Sequence, residues 1–361
     1  MTGMLAPGWA FQEVAPADIE EALERQRREN EDNSRPLVRA SVNNMVVVTQ
    51  SRSAGQRALA TVESLGASAP SRCVVLIAEP PGAGGPRVRS WARVAHHRHA
   101  EGGTEVVWEE VIVQTSVPPR HLPAVVLPLL LPELPVFTWW EGTPPFSEDV
   151  FDELASVTNR LIVDSATFED PIADMGRLVG AAQVLRPALS DCVWGRLTPW
   201  RELIAAPFNG PPVRGSVDAI QRVRVDAVDV SAGLELVGWL ASRLHWKLQD
   251  MRVVDDLRTA RYATRAGSCE ARIASTLGSA SLTRVELEVA IPGADEPARI
   301  RVEATPSHLV STLRAAGQPT ARRVGFSSEQ GQLAAELQVF GRDRVFEAAL
   351  RSAGELTVEQ P

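Results

Sequence analysis

Apolar residues follow two different patterns along this chain. In the first half they form short continuous runs, such as SVNNMVVVT at 41–49 and CVVLIA at 73–78. A continuous run of this length indicates a strand buried on both faces, as in a sheet covered by helices. Between the two runs Leu59, Val62 and Leu65 are helically spaced, and Ser53 is a candidate N-cap. The pattern therefore predicts a β-α-β unit.

In the second half the apolar positions alternate with charged ones. Residues 282–289 place Val285, Leu287 and Val289 between arginine and glutamate residues, and residues 299–304 repeat the alternation. A period of two predicts strands with one buried and one solvent-exposed face, which is typical of antiparallel sheets. A helical pattern at 342–352 predicts a closing helix over one side of this sheet.

Helix and turn signals divide the chain further. Residues 17–29 are amphipathic with a helical period, strands at 88–95 and 105–114 predict an antiparallel hairpin, and Asp170 with Pro171 marks a helix start. We predict an α/β fold, α+β overall, with an N-terminal mixed sheet and helices, then a C-terminal domain of helices plus a largely antiparallel sheet. The expected boundaries are a helical extension at 1–35, an α/β domain at 36–170 and an α+β domain at 171–361.

The most apolar stretch is LPAVVLPLLLPELPVFTWW at 122–140. A membrane-spanning helix needs roughly 20 unbroken apolar residues, whereas four prolines and Glu133 interrupt this segment. The prolines break it into short pieces, which fill a core or meet a partner. Trp139 and Trp140 are adjacent on a predicted strand, so we expect one indole to be buried and the other to be available to a ligand, to the second domain or to a partner.

The charge balance bears on the choice of partner. The 361 residues include 37 basic and 45 acidic side chains, for a net charge of −8. Nucleic acids and anionic membranes attract dense positive charge, so neither is an expected partner. The first residues lack the basic segment and apolar stretch of a secretory signal, so we expect a cytoplasmic protein. The sequence leaves the oligomeric state open.

Residues suited to catalysis or to metal binding are few. His97 and His99 share one face of a predicted strand, but a metal site needs three or four ligands. We therefore expect no metal, no cofactor and no catalytic residues. Asp164 and Ser165 end a predicted strand at 160–166, where α/β folds tend to bind ligands. They either cap the turn or contribute to a ligand site.

Tryptophan and arginine cluster in two segments. In DCVWGRLTPWRE at 191–202, Thr198 and Pro199 predict the start of a short helix. In the predicted helix at 232–246, which Ser231 would cap, three side chains share one face with an arginine between two indoles, Trp239, Arg243 and Trp246. Such residues either fill a core with the arginines reaching out, or form a binding hot spot.

Five of these segments, in this order and spacing, resemble the OpcA family of glucose-6-phosphate dehydrogenase assembly proteins. They are SVNNMVVV, LPLLLPELPVFTWWEG, RLIVDSATFEDP, DCVWGRLTPWRELIAAPF and LVGWLASRLHW. The resemblance covers residues 40 to 350 and is most specific in the segments LPxLPVFxWW and RLTPWRE. It is carried residue by residue by Trp139, Trp140, Arg196, Thr198, Pro199, Trp200 and Arg201.

The resemblance implies a non-catalytic protein that binds glucose-6-phosphate dehydrogenase, promotes assembly of its active oligomer and raises its activity. The candidate partner-binding residues are Trp139, Trp140, Arg196, Thr198, Trp200, Arg201, Trp239 and Arg243. An alternative is an enzyme or sensor that binds a phosphosugar or nucleotide in the α/β domain near Asp164 and Ser165, with arginines as phosphate ligands.

Overall fold

The computed structural model describes residues 12–33, 37–39, 41–65, 70–79, 87–97, 105–117, 121–146, 149–315, 320–325 and 341–358. The chain divides into two compact units. The first comprises Met1–Val163, Arg186–Ala188 and Glu329–Phe340, and the second comprises Asp164–Leu185, Leu189–Ser328 and Gly341–Pro361. The division thus falls after Val163, a few residues before the boundary expected at 170, and Asp164 and Ser165 belong to the second unit.

The first unit is a mixed sheet with helices. Its elements are β1 (Gln12–Val14), α1 (Ile19–Asn33), β2 (Leu37–Arg39), β3 (Asn43–Thr49), α2 (Arg52–Leu65), β4 (Ser71–Ala78), β5 (Val88–His97), β6 (Glu105–Thr115), α3 (Leu122–Val126), β7 (Val136–Trp140), α4 (Asp149–Val157) and β8 (Arg160–Val163). The strand order is β1-β5-β6-β4-β3-β7-β8-β9, where β9 is Ala188–Asp191, and β2 pairs with β6. Strands β6, β4, β3, β7 and β8 run parallel, and β5 pairs antiparallel with β6. The predicted β-α-β unit and hairpin are confirmed.

Strand β3 explains how the proline-broken segment is held in place. Its residues are all buried, as the continuous apolar run predicts. Buried Asn44 donates from its side-chain amide to the Leu131 and Leu134 carbonyls, and it accepts from the Leu131 amide at 2.7 Å. Leu129 is buried in the core. The segment is therefore a pair of short helical turns fixed to the sheet by one asparagine.

The second unit combines helices with an eight-stranded sheet. Its helices are α5 (Pro171–Val184), α6 (Cys192–Arg196), α7 (Thr198–Ala205), α8 (Val230–Leu244) and α9 (Arg344–Gly354). Strand β9 (Ala188–Asp191) comes before α6. The sheet strands are β10 (Ile220–Ala227), β11 (Lys247–Val254), β12 (Leu257–Thr264), β13 (Gly267–Ser275), β14 (Leu282–Val289), β15 (Ala298–Ala304), β16 (His308–Arg314) and β17 (Thr320–Gly325). Their order is β11-β12-β13-β10-β14-β15-β16-β17, and all pairs except β10–β13 are antiparallel. The expected fold class is confirmed.

Helices cover one face of this second sheet. A Cβ on Gly233 of α8 would lie 2.7 Å from a methyl carbon of Ile273, so the helix lies directly on the sheet. On α7 the Leu203 carbonyl accepts from the Ser311 hydroxyl at 3.3 Å. Helices α8 and α9 also pack closely, because a Cβ on Gly238 would lie 2.7 Å from the Ala353 amide nitrogen. Only glycine permits this approach.

Local helix starts agree with the predictions in part. Asp170 is the N-cap of α5, since its carboxylate accepts from the Ala173 amide. For α2 the prediction of Ser53 was wrong, because the Ser51 hydroxyl accepts from the Ala54 amide. For α8 the prediction of Ser231 was wrong, because Asp229 caps the helix and the Ser231 hydroxyl donates to the Ser165 carbonyl. No helix among the described residues is both long and apolar enough to cross a membrane.

Candidate functional site

Two segments that lie far apart in sequence meet in the second unit. Strand β8 ends at Val163, and Asp164 then caps a short 3-10 turn by accepting from the Ala166 amide. The same carboxylate pairs with Arg196 at the end of α6, where guanidinium Nη1 lies 3.0 Å from Oδ2. Asp164 therefore caps the turn and also neutralises the first arginine of the RLTPWR segment.

Arg201, the second arginine of this segment, lies over the indole of Trp194. Its guanidinium carbon is 3.5 Å from the ring centroid, and Nη1 donates to the Trp194 carbonyl at 2.8 Å. Nη2 donates to the Thr198 hydroxyl at 2.9 Å. A cation over an indole gains about 0.5 to 2 kcal/mol. Arg201 is therefore part of the local packing of α6 and α7, while Thr198 is exposed.

The tryptophans of this segment belong to the core. Trp194 and Trp200 are both buried. The Trp194 indole packs against Phe346 with centroids 5.5 Å apart, and its N–H donates to Asp343, the N-cap of α9. The indoles of this segment therefore belong to the core and not to an interface.

The predicted face of Trp239, Arg243 and Trp246 was wrong in one member. Helix α8 ends at Leu244, and His245 adopts a left-handed conformation with φ of 56°. Trp246 therefore lies beyond the helix, buried against Tyr262 with ring centroids 5.6 Å apart. Trp239 is half-buried and Arg243 is exposed, one turn apart on α8.

The expectation for the tryptophan pair of β7 was also wrong. Trp139 and Trp140 are both buried, so neither indole is open to a ligand or a partner. Trp140 packs edge-on against Phe151 of α4, with centroids 6.0 Å apart. The physical reason is that β7 is an interior strand of a parallel sheet, paired with β3 and β8, and both faces of such a strand are covered.

Three carboxyl groups, two buried and one half-buried, surround the Asp164 turn and were not singled out in the sequence. Asp191 ends β9, Asp229 caps α8, and Glu235 lies on the buried side of α8. Asp191 accepts from the Ser165 amide at 3.1 Å and from the Val193 amide at 2.9 Å through Oδ1. One oxygen of Asp191, one of Asp229 and both of Glu235 are buried without a hydrogen-bond partner among the described residues.

Burial raises the pKa of all three groups. Burial and the nearby charge of Asp164 raise the pKa of Asp191 to about 7. Burial, with the charge of Asp164 adding to it, raises the pKa of Asp229 to about 6. Burial and the Asp191 charge raise the pKa of Glu235 well above its ordinary value. A neutral carboxyl group costs far less to bury than a carboxylate.

Most of this cluster is closed to solvent. Asp191 and Glu235 are fully buried, and Arg196 is already paired with Asp164. Among the described residues no three His, Cys, Asp or Glu side chains are placed to hold a metal ion. His99 and the side chain of His97 lie outside the described residues. A single glutamate inside the apolar run LELVGWL was the sequence signal that could have pointed to this cluster.

Comparison with known proteins identifies both halves of the chain. Residues 62–179 match a family described as the glucose-6-phosphate dehydrogenase subunit N-terminal domain, and residues 187–350 match the corresponding C-terminal domain. A relative from Nostoc punctiforme, named as an OxPP cycle protein OpcA, is 36% identical over 135 residues. A Synechocystis relative of the same name is also 36% identical over 135 residues. The match covers 37% of this chain and 29% and 28% of these two relatives.

Solved structures are more distant. A 3-ketoreductase from Actinomadura kijaniata, in complex with TDP-benzene and NADP, is 12% identical with a TM-score of 0.49, covering 86% of this chain and 95% of that one. Sequence similarity is the stronger finding. Since two consecutive domains of one family account for most of the sequence, the chain belongs to the OpcA family.

Proposed function

We propose that this chain is a non-catalytic partner of glucose-6-phosphate dehydrogenase that promotes assembly of the active oligomer and raises its activity. The observation that carries the proposal is the pair of matches to the N-terminal and C-terminal domains of a glucose-6-phosphate dehydrogenase subunit family. The matched relatives are named as proteins of the OxPP cycle, which agrees with such a partner.

An activator of this kind works by differential binding. It contacts the competent form of the enzyme better than the incompetent form and so shifts the population toward it. A tenfold shift requires about 1.4 kcal/mol of differential affinity. One arginine or aromatic contact at an interface can supply that amount. Such an activator therefore needs a suitable binding surface and does not need a reactive centre.

The residues named from the sequence differ in how well they suit such a surface. Trp139, Trp140 and Trp200 are buried and contribute to stability. Thr198 and Arg243 are exposed, and Trp239, Arg196 and Arg201 are partly exposed. The half-buried Trp239 with Arg243 one turn away is the pair most suited to a partner contact, and it stays a proposal.

The alternative of a phosphosugar or nucleotide site near Asp164 and Ser165 is not favoured by the electrostatics. Arg196, the arginine next to these residues, is paired with Asp164. The surrounding acids, Asp191, Asp229 and Glu235, would repel a phosphate once ionised. Ser165 is fully buried. Thermal unfolding with and without glucose 6-phosphate or NADP tests this alternative, and a clear shift would revive it.

The experiment on the main proposal adds increasing amounts of the purified chain to a fixed amount of purified host dehydrogenase. NADPH production gives kcat and KM, and light scattering gives the mass of the complex. We expect a higher kcat or a lower KM together with a larger mass. The chain alone and an inert protein of similar size are the controls. A complex without a rate change would mean that the chain is a scaffold and not an activator. The absence of any complex would refute the proposal.

A further inference from the structure

The second sheet has one face that no described helix covers. Residues alternate between the two faces of a strand. The face that carries the buried Val223, Ile273 and Ile300, with their cross-strand neighbours, is the helix side. We call the other side the open face. Its charged members follow from the strand register. They are Arg222, Arg224, Lys247, Arg252, Arg261, Arg272, Arg284, Arg299, Arg301, Arg314 and Arg323, with Asp226, Asp250, Glu270, Glu286, Glu288 and Glu303.

One line of cross-strand neighbours on the open face alternates in charge over six strands. It runs Asp250, Arg261, Glu270, Arg222, Glu288, Arg299, and on the seventh strand Arg314 lies opposite Arg299. Arg222 donates to Glu288 at 3.0 Å, and Glu288 also pairs with Arg299 at 3.3 Å. Opposite charges on neighbouring strands stabilise a sheet. This alternating row is therefore explained by the fold itself.

The next line differs in its cross-strand order, although its arginines also pair with nearby carboxylates, for example Arg224 with Asp226 at 3.0 Å. It runs Arg252, Thr259, Arg272, Arg224, Glu286, Arg301, so that Arg272 and Arg224 lie directly opposite each other. Like charges at such positions destabilise a sheet. Arg252 pairs with Asp250 at 3.1 Å and Arg272 with Glu270 at 2.8 Å, and the two arginine side chains are 73% and 54% exposed, so a partner can reach both pairs. We call this line the arginine-rich row.

The open face is positive although the chain is negative. The open face carries eleven basic and six acidic side chains, a local charge of +5, whereas the chain as a whole has a net charge of −8. Arg222, Arg224, Arg261 and Arg272 line an open depression of about 1160 Å³ on this face, together with the acidic Asp218, Glu270, Glu286 and Glu288. The excess of positive charge therefore belongs to the face as a whole.

The size of the open face suits a protein partner. Eight strands span about 34 Å and seven residues along a strand span about 24 Å, which gives an area of about 800 Å². A stable protein interface buries about 800 Å² on each partner. The face is therefore large enough for one.

The charge pattern selects the kind of partner. A second copy of the chain would bring two positive faces together, which electrostatic repulsion disfavours. A nucleic acid would bring a continuous line of phosphates against Glu270, Glu286 and Glu288, which lie among the arginines. A protein surface with a net negative charge and scattered basic groups complements the pattern.

We propose that the open face of the second sheet docks an acidic surface of glucose-6-phosphate dehydrogenase, with the arginine-rich row as its main contact. This inference rests on the proposed function, because it takes the dehydrogenase as the partner. It assigns the docking surface to residues outside the tryptophan and arginine segments that the sequence singled out.

The test compares two double charge reversals. Arg252→Glu with Arg272→Glu reverses two charges in the arginine-rich row. The carboxylate at 272 then lies opposite Arg224, while the pairs with Asp250 and Glu270 are lost. Arg214→Glu with Arg344→Glu is the matched control, since both arginines are exposed and lie outside the sheet, in a turn and on α9. The total charge change is the same in the two variants.

Binding to the purified dehydrogenase is measured by biolayer interferometry at low and high salt. We expect the row variant to weaken binding about tenfold or more at low salt, mainly through a slower association rate, and the difference to shrink at high salt. The control should stay within about twofold, and Arg252→Lys with Arg272→Lys, which keeps the charge, should stay close to the wild type. Thermal unfolding and circular dichroism establish that each variant is folded. If the variant with Arg252→Glu and Arg272→Glu does not fold, the variant with Arg252→Gln and Arg272→Gln takes its place.

The outcomes separate the two proposals. If the wild-type chain does not bind the dehydrogenase, the proposed function fails and the docking site fails with it. If the wild type, the row variant and the control bind equally well, the proposed function stands and the docking site is refuted. Sedimentation of the chain alone and a labelled 20-base single-stranded DNA test the other occupants. Loss of a homodimer in the row variant, or DNA binding stronger than that of the dehydrogenase, would overturn the assignment.

Discussion

Arg72 and Arg222 show how differently the two sheets treat the same side chain. Arg72 of β4 is 1% exposed and is held by Glu109, which lies 2.6 Å from its Nε, and by Glu20. Arg222 of β10 is 69% exposed and pairs with Glu288 at the surface. In the first sheet, strands such as β3 and β8 are buried along their whole length, so a charge there must be paired inside the protein. In the second sheet one face is solvent-exposed, so its charged pairs stay accessible to a partner.

The largest expected effect tests this contrast directly. Arg72→Ala removes one of the two arginines that pair with buried Glu109, the other being Arg27 at 2.7 Å, and we expect a loss of about 3 to 5 kcal/mol in the free energy of unfolding. Arg222→Ala removes an exposed pair and should change it by less than about 1 kcal/mol. Urea unfolding of the two variants measures both values. Similar losses in the two would remove the distinction between the sheets.

The tryptophan pair of β7 extends the comparison of buried and exposed side chains to aromatic residues. Because Trp139 and Trp140 are both buried, each mutation to alanine should cost about 3 to 5 kcal/mol. Trp239→Ala on α8, where the indole is half-buried, should cost clearly less. Thermal and urea unfolding give the ranking. One β7 variant with unchanged stability would show that its indole is open after all.

The buried acids of the second unit predict a pH dependence. The pKa of Asp191 is raised to about 7, so from about pH 4 to pH 7 the unfolded chain loses this proton before the folded one, and stability falls as pH rises. Asp191→Asn cannot ionise, and it should be more stable than the wild type above pH 7, by up to about 4 kcal/mol, and similar to it near pH 4.

Asp229→Asn should show the same kind of pH dependence with a smaller size. Asparagine is also a good N-cap, and the pKa of Asp229 is raised only to about 6, so its gain in stability should be smaller and complete by about pH 6. Urea unfolding from pH 4 to pH 8 gives both curves. Curves parallel to the wild type would contradict the raised pKa values.

The smallest expected effect concerns the helix side of the second sheet. Gly238→Ala places a methyl group against the α9 backbone and should cost about 1 to 3 kcal/mol. Gly180→Ala on α5, where nothing lies within 4 Å of the added carbon, should instead stabilise by about 0.5 to 1 kcal/mol. Opposite signs in thermal unfolding are the expected result. Equal signs would mean that α8 and α9 can move apart without cost.

Much of the fold could be predicted because the signals are local. The alternation of Val285, Leu287 and Val289 with charged residues places β14 and its wet face correctly. Asp170 with Pro171 gives the start of α5. The N-caps of α2 and α8 were harder to place, because each predicted serine lies two residues after another good N-cap residue, Ser51 before α2 and Asp229 before α8.

The site was less predictable because it is made of long-range neighbours. Asp164 and Arg196 are 32 residues apart, and Ser165 and Ser231 are 66 apart. No local pattern specifies such meetings. The burial of Trp140 likewise depends on β7 being an interior strand, which strand order alone decides.

By itself, then, the sequence determined the types of element, the wet and dry faces of the strands and the family, because each of these follows from residue spacing or from matching segments. Tertiary structure decided which charges are buried with a partner, which carboxyl groups share one closed cluster, and where the arginines of eight separate strands meet to form one positive surface. The reason is that desolvation and cross-strand pairing depend on distances in space, which the order of residues does not give.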